Sequence, residues 1–154
     1  MKRYVLGFFF SEDKEKVALI KKTKPVWQEG LLNGIGGKVE GEETNKETMI
    51  REFQEETGHT HLEWEYFAAM MNSQFIVDCF VGFGDISKLK TTTEESVVIV
   101  ETKDIGKLSI IDKVTIPNLS WLVPMALDGG FLPVIVDYYE DEKYKEPVKQ
   151  TMEK

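Results

Sequence analysis

A chain of 154 residues can bury one normal-sized core, and 42% hydrophobic with 30% charged residues is the balance of a globular protein. The net charge of −8 argues against a protein that holds nucleic acid by its phosphate backbone, which needs a basic surface, and an anionic small ligand would need a cation to reverse the local field. The lone cysteine, Cys79, lies in an apolar run; it excludes a disulfide framework and a cysteine zinc site and reads as a small buried hydrophobe in a reducing, cytoplasmic compartment.

Residues 1–10 combine a basic start with an apolar stretch, but that stretch runs into Ser11, Glu12, Asp13 and Lys14 with no small-residue cleavage site. It reads as a strand rather than a signal peptide. No stretch approaches the roughly 20 apolar residues needed to span a membrane. Residues 4–10 and 16–21 predict a hairpin. Residues 23–35 predict a loop, with Pro25, Gly30, Asn33 and Gly34. Gly36 and Gly37 open a short extended stretch that Gly41 breaks.

Residues 44–57 predict the clearest helix. Thr44 and Glu47 form a capping box, Gly58 stands where a left-handed C-terminal residue belongs, and Met49, Ile50 and Phe53 make the apolar face. Strands are predicted at 62–71 and 74–82 around Asn72 and Ser73, and at 96–101. A short helix is predicted at 120–127, with Asn118 or Ser120 as N-cap and Pro124 near its first turn. Residues 133–139 read as a last strand, and a charged tail follows from about residue 140. The order predicts one α/β domain over residues 1–154, with a mixed sheet.

Glu52, Glu55 and Glu56 are related by three- and four-residue steps, so they project from one side of the helix over about 100° of arc. Like charges so placed cost a few tenths of a kcal/mol per pair. A solvated acidic face is one reading. A hard-cation site is the other, since carboxylate oxygens suit Mg²⁺ or Mn²⁺.

The surroundings decide between them. Residues 37–59 read GKVEGEETNKETMIREFQEETGH, the pattern G-x5-E-x7-R-E-Φ-x-E-E-x-G, with Phe53 at Φ. With each of seven fixed types at roughly one in 15, chance yields the set about once in 10⁸ windows. The segment resembles the Nudix box, matching its fixed positions at Gly37, Glu43, Arg51, Glu52, Glu55, Glu56 and Gly58. One departure is His59, where the family usually packs an aliphatic residue; a small effect on stability is expected.

That resemblance implies the Nudix fold, a mixed sheet sandwiched between helices (α/β/α), and a catalytic set of Glu52, Glu55, Glu56 and Arg51. Glu52 and Glu56 would be the main ligands of Mg²⁺ (or Mn²⁺), with Glu55 assisting and the Gly37 carbonyl completing the site. Arg51 would brace Glu55, and Glu43 would close the loop–helix junction or support the metal from behind. Gly36 and Gly37 would let the backbone pass close to phosphate, and Lys38 would reach a phosphate or stay solvated. The implied reaction is attack of a water on a diphosphate. Its general base would be Glu55, or Glu94 or Glu95 in a later loop, where a solvent-facing carboxylate is the plainer reading of each.

Residues 32–39, LNGIGGKV, are similar to the W-N-G-F-G-G-K-V segment of mammalian MutT-type enzymes that hydrolyse oxidised purine nucleoside triphosphates. Asn33 then matches a base contact, though a turn asparagine is an equal reading, and Trp27 matches an aromatic of the pocket wall, or a core or surface tryptophan. Residues 117–124, PNLSWLVP, are similar to P-D-D-S-Y-W-F-P without its paired acids, which puts an oxidised guanine in question and leaves Asn118 to exchange hydrogen bonds with a base. Trp121 there reads as core. The resemblance implies a small-molecule nucleotide partner, with no membrane or stable nucleic-acid binding, and a monomer or homodimer. The expected reaction takes a nucleoside triphosphate to monophosphate and pyrophosphate. Alternatives are ADP-ribose or dinucleotide hydrolysis, and a non-catalytic Nudix binding module, which typically loses box glutamates retained here.

Overall fold

The computed structural model describes residues 1–129 and 133–138. Its elements are β1 (Lys2–Ser11), β2 (Lys16–Lys21), β3 (Leu32–Asn33), β4 (Ile35–Lys38), α1 (Asn45–Thr57), β5 (Glu65–Met71), β6 (Phe75–Gly84), β7 (Val97–Glu101), α2 (Leu119–Leu127) and β8 (Val134–Asp137). The strands form one eight-stranded mixed sheet, ordered β3-β2-β1-β6-β5-β8, with β4 on β1 and β7 on β2.

Strand β1 is the centre, and its unbroken apolar run reflects burial on both faces. Val5 and Phe9 point to one side; Leu6, Phe8 and Phe10 point to the other, and all five are buried. On the first side α1 presses Met49 and Phe53 against Val5, Phe9, Ala18, Ile20 and Ile35, with the Phe9 and Phe53 rings 4.9 Å apart. On the second, α2 packs Leu119, Leu122, Val123 and Ala126 against Leu6, Phe8, Phe10, Val17 and Leu19. The sheet therefore lies between helices, the expected α/β/α arrangement.

One edge of β1 pairs in parallel with β6 along its whole length, from Lys2 with Phe75 to Ser11 with Gly84. The other edge forks. Residues 4–7 pair with β4, Gly7 opposite Ile35 and Tyr4 opposite Lys38, whereas Phe9 and Phe10 pair with Ala18 and Val17 of β2. Glycine keeps the β4 branch tight: a Cβ on Gly36 would run into the Val5 carbonyl.

Several local readings need correction. Residues 23–35 include a 3₁₀ turn at Val26–Gln28 as well as β3. The strand expected from residue 62 starts at Glu65, because Trp64 turns inward and packs edge-on against Phe53 at 5.1 Å. The second helix begins at Leu119, one residue early, and neither proposed cap makes a side-chain cap bond; the Ser120 hydroxyl instead donates to the Pro117 carbonyl at 3.0 Å. Pro124 stands inside α2 rather than in its first turn. Of the last predicted strand, β8 is observed beside β5 in parallel, while Tyr139 and the charged tail lie outside the described residues. No helix among the described residues is long and apolar enough to cross a membrane.

Gly36→Ala should lower unfolding stability by about 1–3 kcal/mol, the usual penalty of overpacking. Urea denaturation measures it, and an unchanged midpoint would mean that the β1–β4 contact gives way freely.

Candidate active site

Helix α1 forms as its local signals dictate. The Thr44 hydroxyl accepts from the Glu47 N–H at 3.1 Å, and Gly58 closes the helix at φ 72°. With Met49 and Phe53 committed to the core, Glu52, Arg51, Glu55 and Glu56 are left facing the β4 branch and the loop before β7.

Arg51 organises this cluster. Its Nε and Nη2 donate to the two Glu43 oxygens at 2.7 and 3.0 Å, a bidentate pair. Its Nη1 donates to Glu52 Oε1 at 3.1 Å and to Glu55 Oε2 at 3.3 Å, and Nη2 also reaches the Lys38 carbonyl at 3.3 Å. Arg51 thus braces Glu52 and Glu55 together. Glu43 closes the loop–helix junction, since it also accepts from the Glu40 N–H and the Thr48 hydroxyl, each at 3.0 Å. The Arg51 hydrogen bond is the main reason that the Glu43 carboxyl falls to about 2.

Gly37 and Glu52 meet face to face, for a Cβ on Gly37 would overlap the Glu52 carboxylate. Burial raises the Glu52 pKa, with Arg51 opposing. Glu56 is pushed further, to about 7, by burial first and then by Glu95, with Lys22 opposing and Glu52 and Glu55 adding to the rise. Its Oε2 is buried without a hydrogen-bond partner. A buried unpaired carboxylate oxygen calls for a proton or a cation. The neighbouring donors are hard oxygens, and glycine at 37 lets the Glu52 carboxylate lie directly against the β4 backbone, so these residues fit a divalent cation. They are not a finished cage, since among the described residues no group of three His, Cys, Asp or Glu side chains is already arranged to hold a metal.

The substrate residues expected from sequence are less gathered. Lys38 is exposed at the end of β4. Trp27 is 67% exposed on the 3₁₀ turn, so it is not a core tryptophan. The Asn33 amide is engaged within its own loop: Nδ2 donates to Gln28 Oε1 at 3.2 Å, and Oδ1 accepts from the Gly34 N–H at 2.8 Å. Asn118 lies across the sheet beside β5, where Nδ2 points at Met70 Sδ (3.3 Å) and Oδ1 is buried with no partner. The Tyr138 hydroxyl also faces Met70 Sδ, at 3.8 Å. Trp121 packs partly buried on the α2-side core, as expected.

Of the loop carboxylates, Glu94 is exposed, as expected. Glu95 contradicts its solvent-facing reading: it is buried and accepts from the Thr23 N–H, the Thr23 hydroxyl and Lys22 Nζ. Lys22 and Thr23 went unnoticed in the sequence because no motif or periodicity marks them. A tether from the Arg3 guanidinium to Asn45 and from Asn45 to the buried Asp78 was equally hidden; it pins the start of α1 to β1 and β6. His59 packs edge-on to Phe9 and Phe53 at 6.4 and 6.3 Å, taking the place of the usual aliphatic residue. Cys79 is buried, and burial pushes its thiol up to about 12, which leaves it inert.

Residues 1–127 match the NUDIX domain, and the chain belongs to that family. It is a family of pyrophosphohydrolases whose members are usually enzymes and typically use divalent metals. No curated protein matches the sequence. Among solved structures, the chain is similar to the MutT protein of Bacillus halodurans, with TM-score 0.67 and 21% identity over 92% of each chain. It is also similar to a MutT studied from Aliivibrio salmonicida and Vibrio cholerae, with TM-score 0.61 and 24% identity over 69% of this chain and 84% of that one. A third similar structure is the NUDIX domain of Shewanella oneidensis NrtR complexed with ADP ribose, with TM-score 0.63 and 17% identity over 80% of this chain and 84% of that one. At these identities the likeness concerns the fold.

The raised Glu56 pKa carries a sign. A carboxyl that binds its proton more tightly when folded contributes stability that is present below its ordinary 4.5 and lost as pH rises through about 7. Glu43 acts oppositely, with stability present above 4.5 and lost as pH falls through about 2. Between pH 5 and 7.5 the metal-free protein should therefore lose thermal midpoint relative to Glu56→Gln, measured in parallel melts. Parallel pH curves for the two proteins would show that Glu56 titrates normally.

Proposed function

We propose that this protein is a divalent-metal-dependent pyrophosphohydrolase that converts a nucleoside triphosphate to the monophosphate and pyrophosphate. The observation that carries the reading is the Glu56 Oε2 atom, buried and without a hydrogen-bond partner, on the same helix as Glu52, whose carboxylate lies against the Gly37 backbone. Glu52, Glu56 and the Gly37 carbonyl would hold the cation, with Glu55 assisting. A bound cation supplies charge neutralisation at the diphosphate and makes the attacking water more acidic.

The rest falls to the chain. Arg51 keeps Glu52 and Glu55 in one orientation while Glu43 holds Arg51 from behind. Water attacks phosphorus in line, a P–O bond breaks, and pyrophosphate leaves with that bonding pair. Glu55, half exposed and held only by contacts of 3.3 to 3.4 Å, is free to turn and accept the water's proton. Lys38 offers a cation to the phosphates from the rim. Asn118 reads the base, because its buried Oδ1 lacks a donor and its Nδ2 has only a weak sulfur acceptor to leave. Trp27 offers a ring face, and Asn33 shapes the loop between them.

A second reading is a hydrolase of ADP-ribose or a dinucleotide, favoured by the Shewanella oneidensis NUDIX domain complexed with ADP ribose. Both readings need the same metal centre and differ in products. A panel of nucleoside triphosphates, ADP-ribose and dinucleoside polyphosphates, assayed with and without Mg²⁺, separates them: metal-dependent pyrophosphate release supports the first, and activity confined to the other substrates supports the second.

Glu56→Gln should reduce kcat/KM by about 10²–10⁴, several kcal/mol of lost charge stabilisation at about 1.4 kcal/mol per tenfold. Unchanged turnover at saturating Mg²⁺ would refute the ligand role. Asn118→Ala should raise KM for the preferred nucleotide roughly tenfold, the worth of one or two buried hydrogen bonds; equal KM values would remove Asn118 from base recognition.

A further inference from the structure

Two connections leave one end of the sheet side by side. Residues 22–31 join β2 to β3, and residues 102–113 lead from β7 to the extended residues before α2. Leu32 pairs in parallel with Thr115: the Leu32 N–H donates to the Val114 carbonyl and the Ile116 N–H to the Leu32 carbonyl, each at 2.9 Å. Because the pairing is parallel, both chains enter it from the same end, and the turns that precede them share that end.

Neither turn is loose. The first is closed by bonds from the Lys22 N–H to the Leu31 carbonyl at 2.9 Å and from the Gly30 N–H to the Lys22 carbonyl at 2.8 Å. The second makes one helical turn at Lys107–Ile111, closed from the Asp112 N–H to the Lys107 carbonyl and from the Val114 N–H to the Leu108 carbonyl, each at 2.9 Å. Its inner face is spent on the core, where Ile105 is buried and the buried Ser109 and Thr115 hydroxyls meet at 2.7 Å. Its outer face is apolar as well: Ile110, Ile111 and Val114 are 64%, 71% and 38% exposed, and Val26 on the first turn is 85% exposed. Trp27 borders Val26. Single apolar residues on a surface are ordinary, but a cluster held out by fixed turns marks a contact surface.

The rim says what the contact is. Lys24 and Glu29 on the first turn and Lys107, Asp112 and Lys113 on the second are all exposed. A twofold contact lays a patch on its own copy, so cations and anions must stand on one rim, as they do here. An anionic lipid or nucleic acid would instead meet Glu29, Asp112 and a chain of net charge −8.

We propose that this end of the sheet is the interface of a homodimer, in which Val26, Ile110, Ile111 and Val114 pack against the same residues of a second copy. The inference stands apart from the hydrolase reading, since it uses neither the glutamates of α1 nor Asn118. The apolar patch is on the order of 500 Å², at the upper end of what a monomer exposes. Two such patches bury about 1,000 Å², the lower end for a specific interface, so the dimer forms reversibly at micromolar concentrations.

Sedimentation velocity of the full chain, from submicromolar to near-millimolar concentration, tests this. Wild type should pass from one chain mass to two as concentration rises. Ile110→Glu with Ile111→Glu should stay monomeric, and Val26→Glu alone should weaken association at least about tenfold, because each buries an unpaired charge in the contact. Ile135→Glu, on β8 at the opposite edge of the sheet, should dimerise as wild type does. A wild type that stays monomeric throughout overturns the interface, and so does a dimer that survives the paired isoleucine substitutions. Unchanged association in Val26→Glu overturns the joining of the two turns into one surface. Loss of the dimer in Ile135→Glu overturns its location. Binding of a monomeric wild type to phosphatidylglycerol vesicles overturns the second copy as the occupant. If the paired variant does not fold, Val26→Glu and Ile135→Glu decide by the same outcomes.

Discussion

Helix α1 can seat on the sheet only where side chains beneath it vanish. A Cβ on Gly7 would enter Met49, and one on Gly37 would enter the Glu52 carboxylate. The first contact brings the helix down onto β1, and the second sets its acidic side against the backbone of β4. The fork in the β1 edge is what makes room, because β4 leaves that edge at Gly7 and β2 takes it over from Phe9. Position, charge and burial at Glu52 and Glu56 all follow from that seating.

The electrostatic consequence is a site whose carboxylates are unequal. Glu43 is held ionised by a bidentate arginine, whereas Glu56, at the far end of the same cluster, is raised by burial and by neighbouring carboxylates. Arg51 is one positive charge shared among Glu43, Glu52 and Glu55, so the cluster remains short of positive charge. A divalent cation is the natural remedy in a chain of net charge −8 that belongs to a pyrophosphohydrolase family typically using divalent metals.

Much of this was legible in the sequence because its signals are local. The Thr44 cap, the left-handed Gly58 and the spacing of Met49 and Phe53 specify α1, and the same periodicity puts the glutamates on its free side. The two-faced burial of β1 could be inferred from an unbroken apolar run. What stayed hidden depends on distant pairing. Glu95 looks like any loop carboxylate until Thr23, 72 residues earlier, is brought to it. Asn33 matched a base contact by motif, yet its amide is engaged by Gln28 and Gly34. The start of α2 and the inward turn of Trp64 were misjudged for a related reason: core packing there outweighs the local cap and strand preferences.

The most direct measurement is a crystal structure with Mn²⁺ and a non-hydrolysable nucleotide, with the cation located by its anomalous scattering. The expected result is density within about 2–2.5 Å of carboxylate oxygens of Glu52 and Glu56 and of the Gly37 carbonyl, the range for hard cations on oxygen. Mn²⁺ found only elsewhere, such as at the exposed Asp13 and Asp85 on the opposite end of β1 and β6, would contradict the assignment of α1 as the metal-binding helix.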